Sequence, residues 1–234
     1  MGQVPSEDAP YLLVGDGRLS RHLRHYFDLE GIRWRLWARA TRRPLEGALG
    51  GARAVLLLIA DDALEGFLDR HADPAGPPWI HCSGSLVTPL AAGVHPLMSF
   101  GDELYEHDRY RRIPFVCDRG ATPFAELFPR LSNPHFEIEP AERPLYHALC
   151  AMAGNFTTLL WQRAFAAFEV RLGLPRAVLH PYLEQVASNL VRSASPLTGP
   201  LARGDRRTVE RHLAALVGDP YHAVYSSFVA AHRA

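Results

Sequence analysis

The stretch "YLLVGDGRLSRHLRHYF", from Tyr11 to Phe27, decides how the first half of the chain is interpreted. A short apolar run precedes two glycines, Gly15 and Gly17, and a run of helix-forming residues follows them directly. The pattern predicts a strand that ends at Val14, then a tight turn, then a helix that begins at Arg18. In this arrangement the exposed backbone amides of the turn lie beside the positive N-terminus of the helix. Because this arrangement suits a diphosphate, the stretch predicts the phosphate half of a dinucleotide site.

The turn supplies a set of candidate contacts to the cofactor. Ser20 stands where the third glycine of a dinucleotide motif is usual, and its small side chain still permits close packing of helix on strand. A plain tight turn is the alternative interpretation, since two glycines at this spacing are common. The residues predicted to bind the cofactor here are Gly15, Asp16, Gly17, Arg18 and Leu19.

The rest of the first half alternates strand-like and helix-like segments. Apolar strand cores without clean alternation, separated by crossovers, are typical of a parallel sheet that is covered on both faces. We therefore predict an α/β fold with strands at Tyr11 to Val14, Ile32 to Ala38, Ala54 to Ile59, Trp79 to Cys82, Ile113 to Cys117 and His135 to Ile138. The stretch from Ser83 to Arg112 is predicted to be a long loop.

The second half has a different character. From Glu142 to Leu172 the sequence is apolar nearly all round, which predicts one helix about 45 Å long that is buried on several sides. Gly173 and Pro175 predict its end. Further helices are expected at Pro175 to Arg192, Asp205 to Val217 and Pro220 to Arg233. The predicted organisation is a flexible tail over residues 1–10, an α/β domain over 11–139 and an all-helical domain over 140–234.

Composition excludes several classes of protein. With 47% hydrophobic and 21% charged residues, the 234-residue chain has the composition of an ordinary folded protein rather than a disordered one. Its formal net charge is zero, which argues against a nucleic-acid or anionic-membrane binder, since such proteins need an excess of basic charge. The apolar run from Ala54 to Ala60 is too short for a bilayer, which takes about 20 residues to span.

Cysteine and lysine usage narrow the chemistry further. Cys82, Cys117 and Cys150 form no CxxC pair, so neither a disulfide framework nor a metal site is predicted, and a reducing cytoplasm fits best. All 25 basic residues are arginine. Without lysine, a proton donor near neutral pH must be a histidine, a carboxylic acid, a tyrosine or a cysteine.

The end of the second predicted strand indicates which nucleotide binds. An NAD site usually has an acidic residue about 20 positions after the glycines, where it binds the ribose 2'-hydroxyl. From Gly31 to Leu45 the chain has no acidic residue and five arginines. Arg39, 22 positions after Gly17, would bind a 2'-phosphate together with Thr41 and Arg42. NADP is therefore predicted in preference to NAD, and a solvated basic loop is the alternative.

Candidate residues for chemistry follow the fourth predicted strand. Ligands of open α/β sheets bind at the carboxyl edge, where Ser83 and Gly84 are expected beside the nicotinamide and Ser85 beside the substrate. His95 precedes a proline and is expected in a loop over the same edge. There it would take part in catalysis, whereas a surface turn is the alternative.

Two polar residues interrupt the long apolar helix. His147 and Asn155 are separated by two steps of four residues, so they are expected on neighbouring parts of one side. An unpaired carboxamide in apolar surroundings would cost about 1 to 3 kcal/mol, so Asn155 is expected to have a partner or a ligand. Both residues are candidates for catalysis, and a hydrogen bond between helices is the alternative for each.

The last candidate segment is "SPLTGPLARGDRRTVERHL", residues 195–213. Its Gly-Pro pair predicts a turn, and Asp205 predicts the N-cap of the next helix. Thr198 and Arg203 are not required by that turn, so both are candidates for binding substrate.

Together these segments resemble the Rossmann-like proteins that carry domain of unknown function 2520, relatives of the 6-phosphogluconate dehydrogenase and ketopantoate reductase superfamily. The likeness runs from about Tyr11 to Leu216 and is most specific in "HCSGS", "GVHPLMSF", "YHALCAMAGNF" and "LTGPLARGD". It implies a Rossmann-type dinucleotide-binding domain, NADP-dependent oxidoreductase chemistry and a helical domain that binds substrate and forms a homodimer. "HPLMSFG" is also similar to the His-Pro-Met loop of prephenate dehydrogenases, which implies that His95 approaches the substrate.

One residue departs from the superfamily pattern. Many of its dehydrogenases place a lysine four residues before the helix asparagine, as proton donor to the reacting carbonyl. Here that position is Ala151. A reductase with this sequence therefore needs His95 or His147 as the donor, or a substrate that takes no proton from the protein.

Three functions remain open from the sequence. The first is an NADP-dependent oxidoreductase that transfers a hydride between NADP(H) and a small carbonyl or imine substrate, with Asn155 orienting the substrate and Arg203 holding an anionic group. The second is a non-catalytic nucleotide-binding sensor or assembly protein, which the missing lysine favours. The third is a prephenate-dehydrogenase-like enzyme that uses NAD.

Overall fold

The computed structural model describes residues 8–41 and 44–233, apart from the side chains of Thr41 and Arg233. Most of the predicted tail, residues 1–7, and the predicted cofactor ligand Arg42 therefore lie outside the described residues. The chain forms two compact units, which divide in sequence between Leu159 and Leu160. The first unit holds a mostly parallel sheet with its helices, and the second unit is helical.

The sheet of the first unit has seven strands. They are β1 (Tyr11–Val14), β2 (Trp34–Trp37), β3 (Val55–Leu57), β4 (Trp79–His81), β5 (Ala92–Pro96), β6 (Phe115–Asp118) and β7 (His135–Ile138). Their spatial order is β2-β1-β3-β4-β5-β6-β7, and only the β5 and β6 pair is antiparallel among the described strands. The chain goes from β1 to β2 on one side and returns to β3 on the other, so the sheet has its switch point between β1 and β3. The predicted Rossmann-type α/β fold is confirmed.

Helices cover both faces of this sheet. They are α1 (Arg18–Leu29), α2 (Glu46–Leu49), α3 (Asp61–His71), α4 (His107–Arg111), α5 (Phe124–Leu127) and α6 (Arg143–Ala151). Successive residues of β1 alternate between two apolar clusters, with Tyr11 and Leu13 in one and Leu12 and Val14 in the other. All four are buried, which explains why the strand is a continuous apolar run.

Strand β5 corrects the prediction of a long loop from Ser83 to Arg112. Its sequence, "AGVHP", contains a glycine and a proline, which are both depleted in strands. The segment is nevertheless paired on both sides, parallel to β4 and antiparallel to β6. His95 therefore lies on a strand, opposite Val116, and not in a loop.

The predicted long helix is present, with a change of pitch in its middle. α6 continues into a π-helical segment, Met152–Phe156, and then into α7 (Thr157–Arg171). Gly173, with a φ of 66°, follows its end as predicted. The expected burial is wrong for the single chain, because five large apolar residues of the first unit are between 50 and 57% exposed. These residues are Leu145, Leu149, Met152, Phe156 and Leu159.

The second unit continues with four more helices. They are α8 (His180–Arg192), α9 (Gly199–Arg203), α10 (Arg206–Ala215) and α11 (Tyr221–Arg233). Asp219 accepts hydrogen bonds from Arg163 and Arg171, which ties the start of α11 to α7. Among the described apolar residues of this unit, only Leu179, Val209 and Val229 are buried. The unit therefore has a very small core of its own.

Candidate functional site

The glycine turn lies at the switch point of the sheet. Gly15 has a φ of 112°, and a Cβ there would lie 2.5 Å from the carbonyl oxygen of Leu58, which follows β3. Its backbone nitrogen also donates to the carbonyl of Trp37 at the end of β2, at 2.9 Å. Glycine is thus required at position 15 by the protein itself.

Unlike Gly15, Gly17 is not required to be glycine by its backbone conformation or by its neighbours. It is the N-cap residue of α1 with a φ of −82°, which any residue can adopt, and a Cβ there would meet no atom within 4 Å. Within the described part of the chain, no side chain caps the first turn of α1, so amide groups at this helix end have no side-chain partner there. Bare backbone at an open helix N-terminus fits the approach of a phosphate group.

The neighbours of the turn are held by ion pairs. Asp16 pairs with Arg24 of α1 at 2.6 Å, and Arg18 pairs with Asp102 at 3.2 Å. Leu19 packs against the larger apolar cluster. Ser20, in the place of the third glycine, is fully buried, as close contact between helix and sheet requires.

The predicted 2'-phosphate ligands follow β2. Arg39 begins a 3-10 helix, Arg39–Thr41, and its side chain is exposed. Parallel pairing places Trp37 opposite Val14, so this segment and the glycine turn leave the same edge of the sheet. Thr41 belongs to the same short helix, and Arg42 lies beyond the part of the chain that the structure describes.

Ser83 is tied into the protein after β4. Its hydroxyl donates to Oδ2 of Asp61 at 2.8 Å and accepts from the backbone nitrogens of Ser85 and Leu86. The side chain is buried, so its hydroxyl is committed to holding the turn. A side chain at position 84 is excluded by packing, because a Cβ on Gly84 would lie 2.5 Å from Cδ2 of His147.

Three aromatic side chains meet beside this turn. Nδ1 of His95 lies 2.7 Å from the hydroxyl oxygen of Tyr146, and the two rings are nearly perpendicular. The ring of His147 packs edge-on against that of His95, with centroids 5.8 Å apart. The structure thus brings together two of the predicted catalytic residues, His95 and His147, and places Gly84 against His147.

Burial sets the protonation of this cluster. It lowers the pKa of His95 to about 4, helped by the neighbouring His147 and Arg143. Burial and the adjacent Cys150 thiol raise the pKa of Tyr146. At neutral pH, His95 is therefore a neutral imidazole beside a protonated phenol.

A buried ion pair fixes α6 against the sheet. The guanidinium of Arg143 is fully buried, pairs with Asp118 through Nε, and donates to the carbonyls of Ser83 and Val116. The second oxygen of Asp118 accepts from the backbone nitrogen of Gly93 at 2.7 Å. Because Arg143 is the first residue of α6, this contact sets the positions of Tyr146 and His147 one turn later.

Asn155 does not join this cluster. It lies in the π-helical segment, where its side chain is exposed and its carboxamide makes no hydrogen bond to a described residue. A π turn contains an extra residue, which shifts the residues after it relative to a regular helix. The predicted shared side of His147 and Asn155 assumed a regular pitch, and the expected protein partner of the carboxamide is absent from the described part of the chain.

The second unit holds the remaining predicted substrate ligands. Thr198 is the N-cap residue of α9, a short helix where the sequence predicted a turn, and its side chain makes no capping bond. Arg203 pairs with Asp205 at 2.8 Å. Asp205 occupies the predicted N-cap position of α10, but its side chain bonds to Arg203 and not to the helix amides. This local pair gives Arg203 a structural partner.

Sequence reasoning missed three members of the site. Tyr146 adjoins His147 in the sequence, and a tyrosine inside an apolar helix was the available signal. Arg143 and Asp118 are 25 positions apart, and no spacing rule pairs them.

Within the described ranges, no group of three or more histidine, cysteine, aspartate or glutamate side chains is placed to hold a metal ion. None of the helices described is both long and apolar enough to cross a membrane.

The whole fold is similar to known structures. The provisionally assigned NADP oxidoreductase BF3122 from Bacteroides fragilis matches over 97% of this chain and 99% of its own, with a TM-score of 0.77 and 20% identity. Protein TM1727 from Thermotoga maritima matches over 95% and 96%, with a TM-score of 0.71 and 23% identity. A reductive aminase from Aspergillus terreus, in complex with NADPH and ethyl levulinate, covers 95% of this chain and 87% of its own, with a TM-score of 0.58 and 16% identity.

Sequence comparison gives one family. Among curated proteins, none matches this chain. Residues 118–231 match the family described as Domain of unknown function (DUF2520). This range begins in β6 and includes the π-helical segment and the helices after it. The resemblance to DUF2520 proteins that the sequence indicates is thus found over these residues.

Proposed function

We propose that this chain is an NADP-dependent oxidoreductase that transfers a hydride between NADP(H) and a small carbonyl or imine substrate. The observation that carries the proposal is the open, uncapped helix start at Gly17, beside a sheet switch point and a basic segment. A similar fold occurs in a provisionally assigned NADP oxidoreductase and in a reductive aminase whose complex contains NADPH, which supports the same cofactor here.

The residues present fit this cofactor. The amides from Gly15 to Leu19 would hold the pyrophosphate at the N-terminus of α1. Arg39, exposed just past β2, would bind the 2'-phosphate, with Thr41 and Arg42 beside it. The nicotinamide would lie near Ser83 and Gly84, where the bound cofactor supplies the hydride.

The substrate would occupy the space next to the histidine cluster. His95 and His147 are the groups that would contact its reacting atoms, by hydrogen bonding or by moving a proton. Asn155, Ser85, Thr198 and Arg203 are proposed to contact other parts of the substrate. Since Arg203 already pairs with Asp205, a substrate anion would have to compete with that carboxylate.

Calorimetric titration with NADPH and NADH tests the cofactor. We expect NADPH to bind more tightly than NADH, and Arg39→Ala to weaken NADPH about tenfold while leaving NADH unchanged. Gly17→Ala should weaken both nucleotides at unchanged thermal stability, because its methyl group would meet only the phosphate. Gly66→Ala, on α3, is the matched control and should bind normally. If neither NADPH nor NADH gives a heat of binding, the proposal is refuted.

A second candidate is a nucleotide-binding sensor without catalysis. It is favoured by the absence of lysine and by a His95 that is neutral at pH 7 and so is a poor acid. Cofactor absorbance, followed with a panel of 2-keto acids and cyclic imines, separates the two functions. Tight NADPH binding without turnover of any compound favours the sensor, and turnover that His147→Ala abolishes favours the enzyme.

We further propose that the partner of the chain is a second copy of itself. Five large apolar residues of one continuous helical stretch are between 50 and 57% exposed, and apolar surface of this kind marks an interaction site. They are Leu145, Leu149, Met152, Phe156 and Leu159. No charged residue occurs from Pro144 to Gln162. Sedimentation should find a dimer, and Leu149→Glu should yield monomers whereas Leu29→Glu, on the exposed end of α1, should not.

The cytoplasm is the proposed location. All three cysteines are free, and burial raises the pKa of Cys82 to about 12 and that of Cys117 to about 11. Unpaired thiols are usual in a reducing compartment. Fusion to a fluorescent reporter tests this, and a signal outside the cytoplasm would contradict it.

A further inference from the structure

The two ring nitrogens of His95 have different surroundings. Nδ1 faces the hydroxyl of Tyr146 at 2.7 Å. Nε2 makes no hydrogen bond to a described residue, and it is not among the fully buried polar atoms that lack a partner. One nitrogen is therefore held by the protein, and the other is open to a ligand.

The donor in the hydrogen bond between His95 and Tyr146 follows from the chemistry of the imidazole and the phenol. A neutral imidazole carries one proton, so one nitrogen donates and the other accepts. Tyr146 stays protonated, and its hydroxyl has two neighbouring acceptors, Nδ1 of His95 and the sulfur of Cys150. Since a thiol sulfur is a weak acceptor, the hydroxyl donates to Nδ1. The single proton of His95 is then on Nε2.

A histidine in this state recognises a ligand atom with a lone pair. A carbonyl oxygen offers one, whereas a protonated iminium nitrogen offers none. The nearby charges do not decide between the two, since Arg143 is paired with Asp118 and the carboxylate of Asp61 accepts from Ser83. The hydrogen bond that Nε2 can donate therefore selects the carbonyl oxygen.

We propose that Tyr146 is a positioning residue that keeps the proton of neutral His95 on Nε2, from which His95 donates a hydrogen bond to the oxygen of a carbonyl substrate. The inference rests on the proposed oxidoreductase function and specifies its substrate class. It concerns a hydrogen bond alone, and the Nε2 proton stays on the ring.

Nitrogen NMR tests the proton position without cofactor or substrate. In the ¹⁵N-labelled protein at pH 7, we expect the proton of His95 on Nε2, and we expect Tyr146→Phe to give a measurable population with the proton on Nδ1. Tyr182→Phe, an exposed tyrosine of α8, is the control and should leave His95 unchanged. A wild-type His95 with its proton on Nδ1 would overturn the inference whatever the cofactor result.

Kinetics test the role of that proton. Tyr146→Phe should lower kcat about tenfold at nearly constant KM, the effect of losing one oriented hydrogen bond in the transition state. His95→Gln keeps a donor near the position of Nε2 and should retain more activity than His95→Asn, whose donor lies near Nδ1. Equal loss in these two variants would contradict the inference.

The substrate class has its own test. A permanently charged N-alkyl iminium offers no lone pair, so it should be reduced much more slowly than the best carbonyl compound. Faster reduction of the iminium would overturn the inference while leaving the oxidoreductase function intact. If neither nucleotide binds, the function fails, and the NMR result still decides the proton position.

Discussion

At the scale of single residues, the ring of His147 occupies the space that a side chain at position 84 would need. The position of His147 and the bare turn after β4 therefore depend on each other. Gly84 was a candidate because of its place at the carboxyl edge of the sheet, and the structure adds a packing reason that the sequence did not reveal. A role in binding the nicotinamide and a role in seating His147 are compatible.

We expect Gly84→Ala to destabilise the protein by about 1 to 3 kcal/mol, because the new methyl group must displace the ring or the turn. Gly101→Ala is a suitable control, since a Cβ there meets nothing within 4 Å, and it should change stability by less than about 0.5 kcal/mol. Urea unfolding of both variants measures the difference. Equal stabilities would mean that the His147 ring swings away without cost.

At the scale of elements, the strands that are simple apolar runs could be predicted from the sequence. β1 and β7 have the predicted bounds, and each end of β2, β3, β4 and β6 lies within two residues of its predicted position. β5 could not be, because its glycine and proline argue against a strand on local propensity. Gly93 is explained only in three dimensions, since a Cβ there would lie 2.5 Å from both Asp118 and Arg143.

The residues of the candidate site also divide into those that the sequence marks and those that only the structure reveals. The glycine turn and the histidines could be picked out because local spacing or an unusual residue type marks them. The Tyr146 contact and the Arg143 pair could not, because they join segments that are distant in sequence. The π turn was also hidden, since its residues are ordinary for a helix, and only hydrogen bonding distinguishes it.

The attachment of α6 gives a prediction at this scale. Arg143→Met leaves the carboxylate of Asp118 buried without its partner and should cost about 3 to 5 kcal/mol. Adding Asp118→Asn removes that stranded charge, so the double variant should be more stable than the sum of the single variants predicts. Urea unfolding of the four proteins measures the coupling. Strictly additive losses would show that the pair does not act as a unit.

At the scale of the whole molecule, the distribution of buried surface is uneven. The first unit has two apolar clusters that pack on both faces of its sheet, whereas the second unit has three buried apolar residues in its described part. A unit this short of buried surface gains little stability by itself. We expect the proposed dimer to cover exposed apolar residues of this unit as well, such as Leu190 and Phe228, so the stability of the protein should depend on its concentration.

The pH dependence of unfolding is the last whole-molecule property that the structure determines. His81 on β4 is fully buried, and neither of its ring nitrogens makes a hydrogen bond of normal geometry to a described residue. Burial, followed by the charge of Arg143, lowers its pKa to about 4. An unfolded histidine titrates near 6.5, so between pH 6.5 and 4 the unfolded state binds a proton that the folded state does not. Stability must therefore fall as the pH is lowered through this window, by about 2 kcal/mol from His81 between pH 7.5 and 5. His95, with a similarly lowered pKa, adds a loss of the same sign.

Urea unfolding at pH 7.5 and pH 5 should show a smaller loss of stability in His81→Gln than in the wild type, even if the variant is less stable at both pH values. Parallel losses would mean that His81 already gains its proton in the folded protein, and the cause of any acid sensitivity would then lie with other groups.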